Sequence, residues 1–174
     1  MHEWTGSAAL RTHMECVALC MGAYARALDP AQVERWSVCG LLHDFDYEKH
    51  PDPAAHPSVG VAHLRALGLD EETLRAILAH APRTGVPRES SMAKALFAVD
   101  ELAGFIVACA KVRPAGIADL SPPSVRKKLK DRSFAAAVSR EDIAIGIAEL
   151  GVDETAHIQA CIDAIRSDSV RLGL

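Results

Sequence analysis

The chain has 174 residues, of which 49% are hydrophobic and 24% charged, with a formal net charge of −4. That composition excludes a disordered chain and suits one domain with a sizeable core. The weak negative charge gives no electrostatic footing for a nucleic-acid polymer or a membrane surface as partner. No apolar run approaches the roughly 20 residues that span a bilayer.

The opening stretch "MHEWTGSAALRTHMEC" lacks a basic segment followed by an apolar one, so it does not read as a signal peptide and a cytoplasmic location is expected. Five cysteines are present, an odd number without a C-x-x-C pair, which fits buried thiols in a reducing compartment.

Helical signals dominate along the chain. Apolar residues recur at helical spacing from Ser7 to Leu28, and Asp29-Pro30 then opens a second helix to about His43. "HPDPAAHP" is a loop, because three prolines fall within eight residues. A helix over Ser58–Leu67 ends at Gly68, and Asp70 caps the next one to about His80. After the loop "APRTGVPRES", Ser90 or Ser91 caps a long helix through about Val112, stopped by Pro114. "SPPSVRKKLKDRSFAAAV" holds one or two short helices with Ser121 or Ser124 as cap. Ser139 and Asp142 resemble a capping box for a helix ending at Gly151, and Asp153 caps a last helix to about Leu172. No stretch alternates with period two, so an all-α fold in a single domain is expected.

Several polar residues fall on faces that should be buried. His13 has Leu10, Cys16 and Val17 one turn away, and His80 follows Ile77 in "LRAILAH". Asp100 sits in "ALFAVDELAG", where the small residues Ala103 and Gly104 permit close approach. His43 and Asp44 end the apolar run "GLLHD". A buried charge costs several kcal/mol unless it is paired or metal-bound. Each residue alone reads most simply as a satisfied core polar group. A set made only of imidazoles and carboxylates is instead the natural ligand set for divalent Mn, Fe, Co, Ni or Zn. Aspartate can offer one oxygen to each of two metals, which is a chemical reason to find it directly after histidine.

These residues resemble the HD superfamily of metal-dependent phosphohydrolases, whose pattern is H…HD…D on a helical bundle. His13, "LLHDFD" and "ALFAVDELAG" supply that pattern, "HPSVG" adds His56 and "AILAHAP" adds His80. "DYEK", "DELAG" and "VRPAGIADLSPPSVRKKLKDRSFAAAV" extend the similarity to small bacterial HD proteins over almost the whole chain, with Ala103 and Ala137 as departures. The resemblance implies a single HD-type domain over 1–174, with a metal-site core over about 8–112 and C-terminal helices over about 121–174 packed on it. It implies His13, His43, Asp44 and Asp100 around a first divalent metal. It also implies a second metal bridged by Asp44 and held by His56 and His80, with a metal-activated water attacking a small phosphomonoester or phosphodiester, a nucleotide among them. With one metal, His56 and His80 contact the substrate phosphate instead. Two other functions use the same ligands: a non-catalytic module that binds metal and a nucleotide or protein, and a di-iron oxygenase. A dimer stays open.

Around this set, Asp46, Tyr47, Glu48 and Lys49 are candidates to line the pocket, with Asp46 orienting a ligand histidine and Lys49 contacting phosphate, against the equal reading of a loop that caps a helix end. Arg126, Lys127, Lys128, Lys130 and Arg132 form either a solvated face or, with Arg113, a cradle for an anionic substrate, and Lys128 is the foremost member. His63 is expected at the surface, and His2, His50 and His157 join no constellation.

Overall fold

A computed structural model describes residues 3–174, so His2 lies outside the described residues. Among the described residues the regular structure is entirely helical. Helix α1 spans Ala8–Leu28, and the Ser7 side chain accepts from the Leu10 amide at its start. A single tight turn, Pro30–Gln32, leads into α2, Val33–Leu42, so the expected second helix begins with a 3₁₀ turn. Helix α3 spans Ser58–Ala66 and α4 spans Glu71–His80, with the Asp70 side chain accepting from Thr73.

The longest late helix, α5, spans Ser91–Lys111 and is capped by Ser90. It is buried on nearly every face, as expected of a helix at the centre of a bundle. Helices α1, α4, α7 and α8 pack around it. Helix α6 spans Pro122–Leu129, α7 Arg140–Leu150 and α8 Glu154–Arg166, and a short α9 spans Ser169–Leu172. One buried apolar cluster runs through the bundle, from Met14 and Val17 on α1 through Leu96, Leu102 and Phe105 on α5 to Ile158 and Ile162 on α8. Each such large side chain stabilises the fold by roughly 1.5–3 kcal/mol.

Three local expectations differ. The last helix does not run unbroken to Leu172. It stops at Ser167, whose hydroxyl donates back to the Ala164 carbonyl, and Asp168 leaves helical geometry. Serine and aspartate compete for backbone groups in this way and so favour helix ends. Ser121 starts α6 without a capping bond, because its hydroxyl meets that of Ser124. Only half of the expected capping box forms. Ser139 Oγ accepts from the Asp142 amide at 3.1 Å, but the Ser139 amide donates to Glu101 Oε2 at 3.1 Å. The reciprocal acceptor is thus a long side chain from α5, which ties the start of α7 to the residue after Asp100.

Close helix approach depends on glycine at one crossing. A Cβ at Gly146 on α7 would lie 2.6 Å from the Ala98 Cα, so α7 rests directly on the α5 backbone just before Asp100. Arg140 closes the connection before α7 by donating to the carbonyls of Asp131, Phe134, Ala135 and Val138. All five cysteines are buried and free. Burial pushes the Cys16 thiol up to about 12 and Cys109 up to about 11, so both stay protonated. Among the described residues no helix is long and apolar enough to cross a membrane.

Candidate metal centre

The apolar residues of α2 set its end against the core, and His43 and Asp44 emerge there. The fully buried His43 aims Nδ1 at the Gly40 carbonyl, 2.8 Å away. His80, at the end of α4, aims Nδ1 at the Ile77 carbonyl in the same i−3 pattern. A carbonyl can only accept, so both rings carry hydrogen on Nδ1 and turn Nε2 inward.

His56 reaches the same place from the proline-rich loop. Its Nδ1 faces Asp46 Oδ1 at 2.7 Å, and the other Asp46 oxygen accepts from the Gly60 amide at 2.8 Å. Asp46 is fully buried, and its contacts fix both the His56 ring and the start of α3. Gly60 is required for this packing, because a Cβ there would lie 2.6 Å from the Asp46 Cγ. His13 comes from α1 and packs beside Gly104 of α5.

These side chains form two adjoining groups that could each hold a metal ion: His13, His43 and Asp100, and Asp44, His56 and His80. Asp100 Oδ1 lies 3.0 Å from His13 Nε2 and 3.2 Å from His43 Nε2. Asp44 divides its oxygens. Oδ1 faces His56 Nε2 at 3.2 Å and His80 Nε2 at 3.3 Å, while Oδ2 faces His43 Nε2 at 3.5 Å and His13 Nε2 at 3.8 Å. One carboxylate thus touches both groups with a separate oxygen for each.

The donor set fits divalent metal ions. Most of these separations match neighbouring donors around one ion bound at about 2.0–2.2 Å. His43 Nε2 is buried and makes no hydrogen bond, although Asp100 lies within reach. A buried nitrogen that faces only carboxylate oxygens needs either a proton or an ion between them. His13, Asp44 and Asp100 keep 22, 18 and 16% of their side-chain surface accessible, which leaves the centre open on one side.

The charges of these side chains act on one another across the centre. Burial favours a neutral His43, yet the carboxylates of Asp44 and Asp100 outweigh it and hold the ring well above its ordinary value. For Asp44, burial favours protonation, but His43, His56 and His80 hold the carboxyl well below the usual range. Asp100 is likewise depressed against its burial, by His43 and His13. Burial lowers His56 and the paired Asp44 and Asp46 more than reverse this.

The accessible side opens into a cavity of ≈370 Å³. Its floor holds His13, Asp44, His56, His80 and Asp100, and its walls add Tyr47, Arg83, Phe97, Glu101, Val138 and Asp142. Glu101 is pushed up to about 7, chiefly by burial and next by the neighbouring Asp100 carboxylate.

The three cations expected at the substrate do not line this cavity. Lys49 lies over the Trp4 ring, 4.6 Å from its centroid. Lys128 lies over Phe134 at 4.5 Å, and Arg113 forms a fork with Asp119 at 2.6–2.8 Å. Each has a nearer aromatic or carboxylate on its own side of the molecule, so it turns there. Arg126, Lys130 and Arg132 border a different groove with Arg140. His63, expected at the surface, packs against Trp4 at 4.6 Å.

The residues after Asp44 each take a separate position. Asp46 holds His56, Tyr47 reaches the cavity with its ring 5.1 Å from that of His56, and Glu48 accepts from the Ser7 amide at 2.8 Å. Sequence reasoning missed Arg83, Glu101 and Asp142 as cavity residues. Arg83 lies three residues beyond His80, and Glu101 directly follows Asp100, but no periodicity marks either. Asp142 was legible only as a helix-start residue.

The arrangement is that of an all-helical bundle carrying two His/carboxylate groups joined by one aspartate at the floor of a cavity. A family model for the HD domain matches residues 10–104, more than half of the chain, and the chain belongs to the HD domain family. All six side chains of the two groups fall inside the matched span. No curated protein and no solved structure matches the chain. The family in general contains metal-dependent hydrolases.

Proposed function

We propose that the protein is a metal-dependent phosphohydrolase acting on a small phosphate ester. The observation that carries this reading is the divided carboxylate of Asp44, with Oδ1 on the His56/His80 side and Oδ2 on the His13/His43 side. His13, His43 and Asp100 would hold one divalent ion and His56 and His80 a second, with Asp44 common to both. Bound ions of this type supply Lewis acidity and lower the pKa of water.

The chain's own contribution is orientation. The carbonyls of Gly40 and Ile77 hold the His43 and His80 rings, and Asp46 holds His56, so the inward lone pairs are set before substrate arrives. The cavity admits a small ester over these side chains and limits the approach of bulk water. On this reading residues 1–174 act as one domain, because the single apolar cluster continues from the α1–α5 region into α8.

The test combines metal analysis with a panel of phosphate esters assayed in Mn²⁺, Co²⁺, Ni²⁺ or Fe²⁺. Up to two ions per chain and ester hydrolysis are expected, with both lost in Asp44→Ala. Tight metal binding without turnover of any ester points to a binding module. Iron-dependent O₂ consumption points to an oxygenase. If no metal binds and Asp44→Ala changes nothing, the whole reading fails.

A further inference from the structure

We propose that Arg83 grips the substrate's phosphoryl oxygens, and that Glu101 and Asp142 in the same cavity select a substrate with one phosphoryl group and a hydroxyl-bearing or cationic remainder. The inference rests on the phosphohydrolase reading and names its substrate class.

Arg83 is the only lysine or arginine in the cavity wall among the described residues. Its Nε donates to the Pro53 carbonyl and its Nη2 to the His56 carbonyl, each at 3.1 Å. Nη1 makes no hydrogen bond among the described residues, so one part of the fork stays free. Two main-chain anchors fix the guanidinium plane, and a fixed fork loses little freedom on taking an oxyanion. Those anchors also register Arg83 to the metal centre. It hangs from the backbone of His56 and stands three residues after His80, the two histidines that face Asp44 Oδ1.

Carboxyl groups stand elsewhere in the same wall. Glu101 lies on α5 beside Asp100, and Asp142 lies in the first turn of α7. Neither has an arginine or lysine partner among the described residues. Lys49, Lys128 and Arg113 are engaged away from the cavity. A second or third phosphate would therefore meet carboxyl groups with no further cation to offset them, which discriminates by repulsion. A hydroxyl or ammonium group gives the same carboxyl groups a donor. The volume, ≈370 Å³, is near the lower end of ligand sites, which run from about 300 to 1,000 Å³.

The reaction balances as simple hydrolysis. The oxygen of water bonds to phosphorus, the P–O bond to the alcohol breaks, and one proton from the water ends on the leaving oxygen.

The experiment uses Mn²⁺-loaded full-length protein. Turnover is compared among a sugar monophosphate, phosphoethanolamine, a nucleoside monophosphate and a nucleoside triphosphate, and inorganic phosphate binding is followed by calorimetry. Monophosphates of polyols or amino alcohols are expected to exceed the triphosphate at least about 10-fold in kcat/KM. Arg83→Ala is expected to raise KM and the phosphate Kd at least about 10-fold with metal content unchanged, and Arg83→Lys to recover part of both. These figures correspond to loss of a charged hydrogen bond. Glu101→Gln with Asp142→Asn is expected to narrow the gap between mono- and triphosphate.

A triphosphate preference overturns the selection by Glu101 and Asp142. Unchanged phosphate affinity in both Arg83 variants overturns the grip, as does a loss that tracks metal loss. If the wild type hydrolyses nothing, the hydrolase reading fails by itself, while the phosphate Kd still judges Arg83.

Discussion

Two buried histidines, His43 and His157, occupy opposite kinds of environment. His157 on α8 is satisfied at both nitrogens. The Tyr24 hydroxyl meets Nδ1 at 2.5 Å, and Nε2–H donates to the Ala98 carbonyl at 3.0 Å. Burial pulls its pKa below the ordinary value despite that carbonyl, and it stays neutral. His43 has a carbonyl partner at one nitrogen only, and its other nitrogen points at two carboxylates. Both rings are equally inaccessible, so burial does not separate a structural histidine from a ligand. The difference is whether the second nitrogen has been given a partner by the chain.

The largest effect should come from the residue that joins the two His/carboxylate groups. Asp44→Ala removes the carboxylate that faces both, and activity is expected to fall by on the order of 10³-fold or more, with metal content reduced. Metal analysis and ester hydrolysis on the same sample check this. Retention of the full metal content would show that neither ion depends on Asp44, and the reading of it as the residue that joins the two groups would fall.

A smaller loss should follow from disturbing the support of one histidine. Gly60→Ala places a Cβ against the Asp46 carboxylate that holds His56. Metal affinity is expected to weaken about 10–100-fold, the usual range for losing such a support. Chelator competition measures it. Unchanged affinity would show that the His56 ring is held by other contacts.

His157→Ala tests the other region. It leaves the half-buried Tyr24 hydroxyl without its acceptor, and a loss of about 1 kcal/mol in stability is expected. Metal content should not change, because His157 touches no member of the two groups. Denaturant unfolding and metal analysis together separate the two roles. Metal loss in this variant would erase the distinction between the histidines.

The sequence made the helices legible because most of their starts are local chemistry. Ser7, Asp70, Ser90, Ser139 and Asp153 each accept from an amide three residues on, a bond that depends on little beyond the neighbouring chain. His13, His43, Asp44, His56, His80 and Asp100 were legible as a set because imidazoles and carboxylates on apolar faces need an explanation. Apart from Tyr47, the cavity wall was not legible. Whether Lys49 meets a phosphate or Trp4 depends on where the chain before α1 lies, and no spacing near Lys49 reports that. Arg83 and Lys128 look alike as cations beside prolines or other charges, yet only Arg83 is anchored by carbonyls of the loop that carries His56. His157 was passed over for the same reason, since both its partners lie more than fifty residues away.

The smallest expected effect concerns pH. The folded pKa of His157 lies below its ordinary value of 6.5, so the unfolded chain binds the proton first as pH falls. The contribution to stability from keeping His157 neutral is therefore fully present above about pH 6.5 and shrinks as pH drops below it toward the folded pKa. His157→Gln removes that titration while leaving an acceptor for Tyr24 and a donor for Ala98. Between pH 7.5 and 5.5 the wild type should lose more unfolding free energy than His157→Gln, by a margin of about 1 kcal/mol or less per pH unit below 6.5. The measurement is best made on chelator-treated protein, so that loss of metal at low pH does not enter the slope. A wild-type slope no steeper than that of the variant would mean that His157 accepts its proton in the folded state as readily as in the unfolded one. The contrast with His43 would then rest on geometry alone.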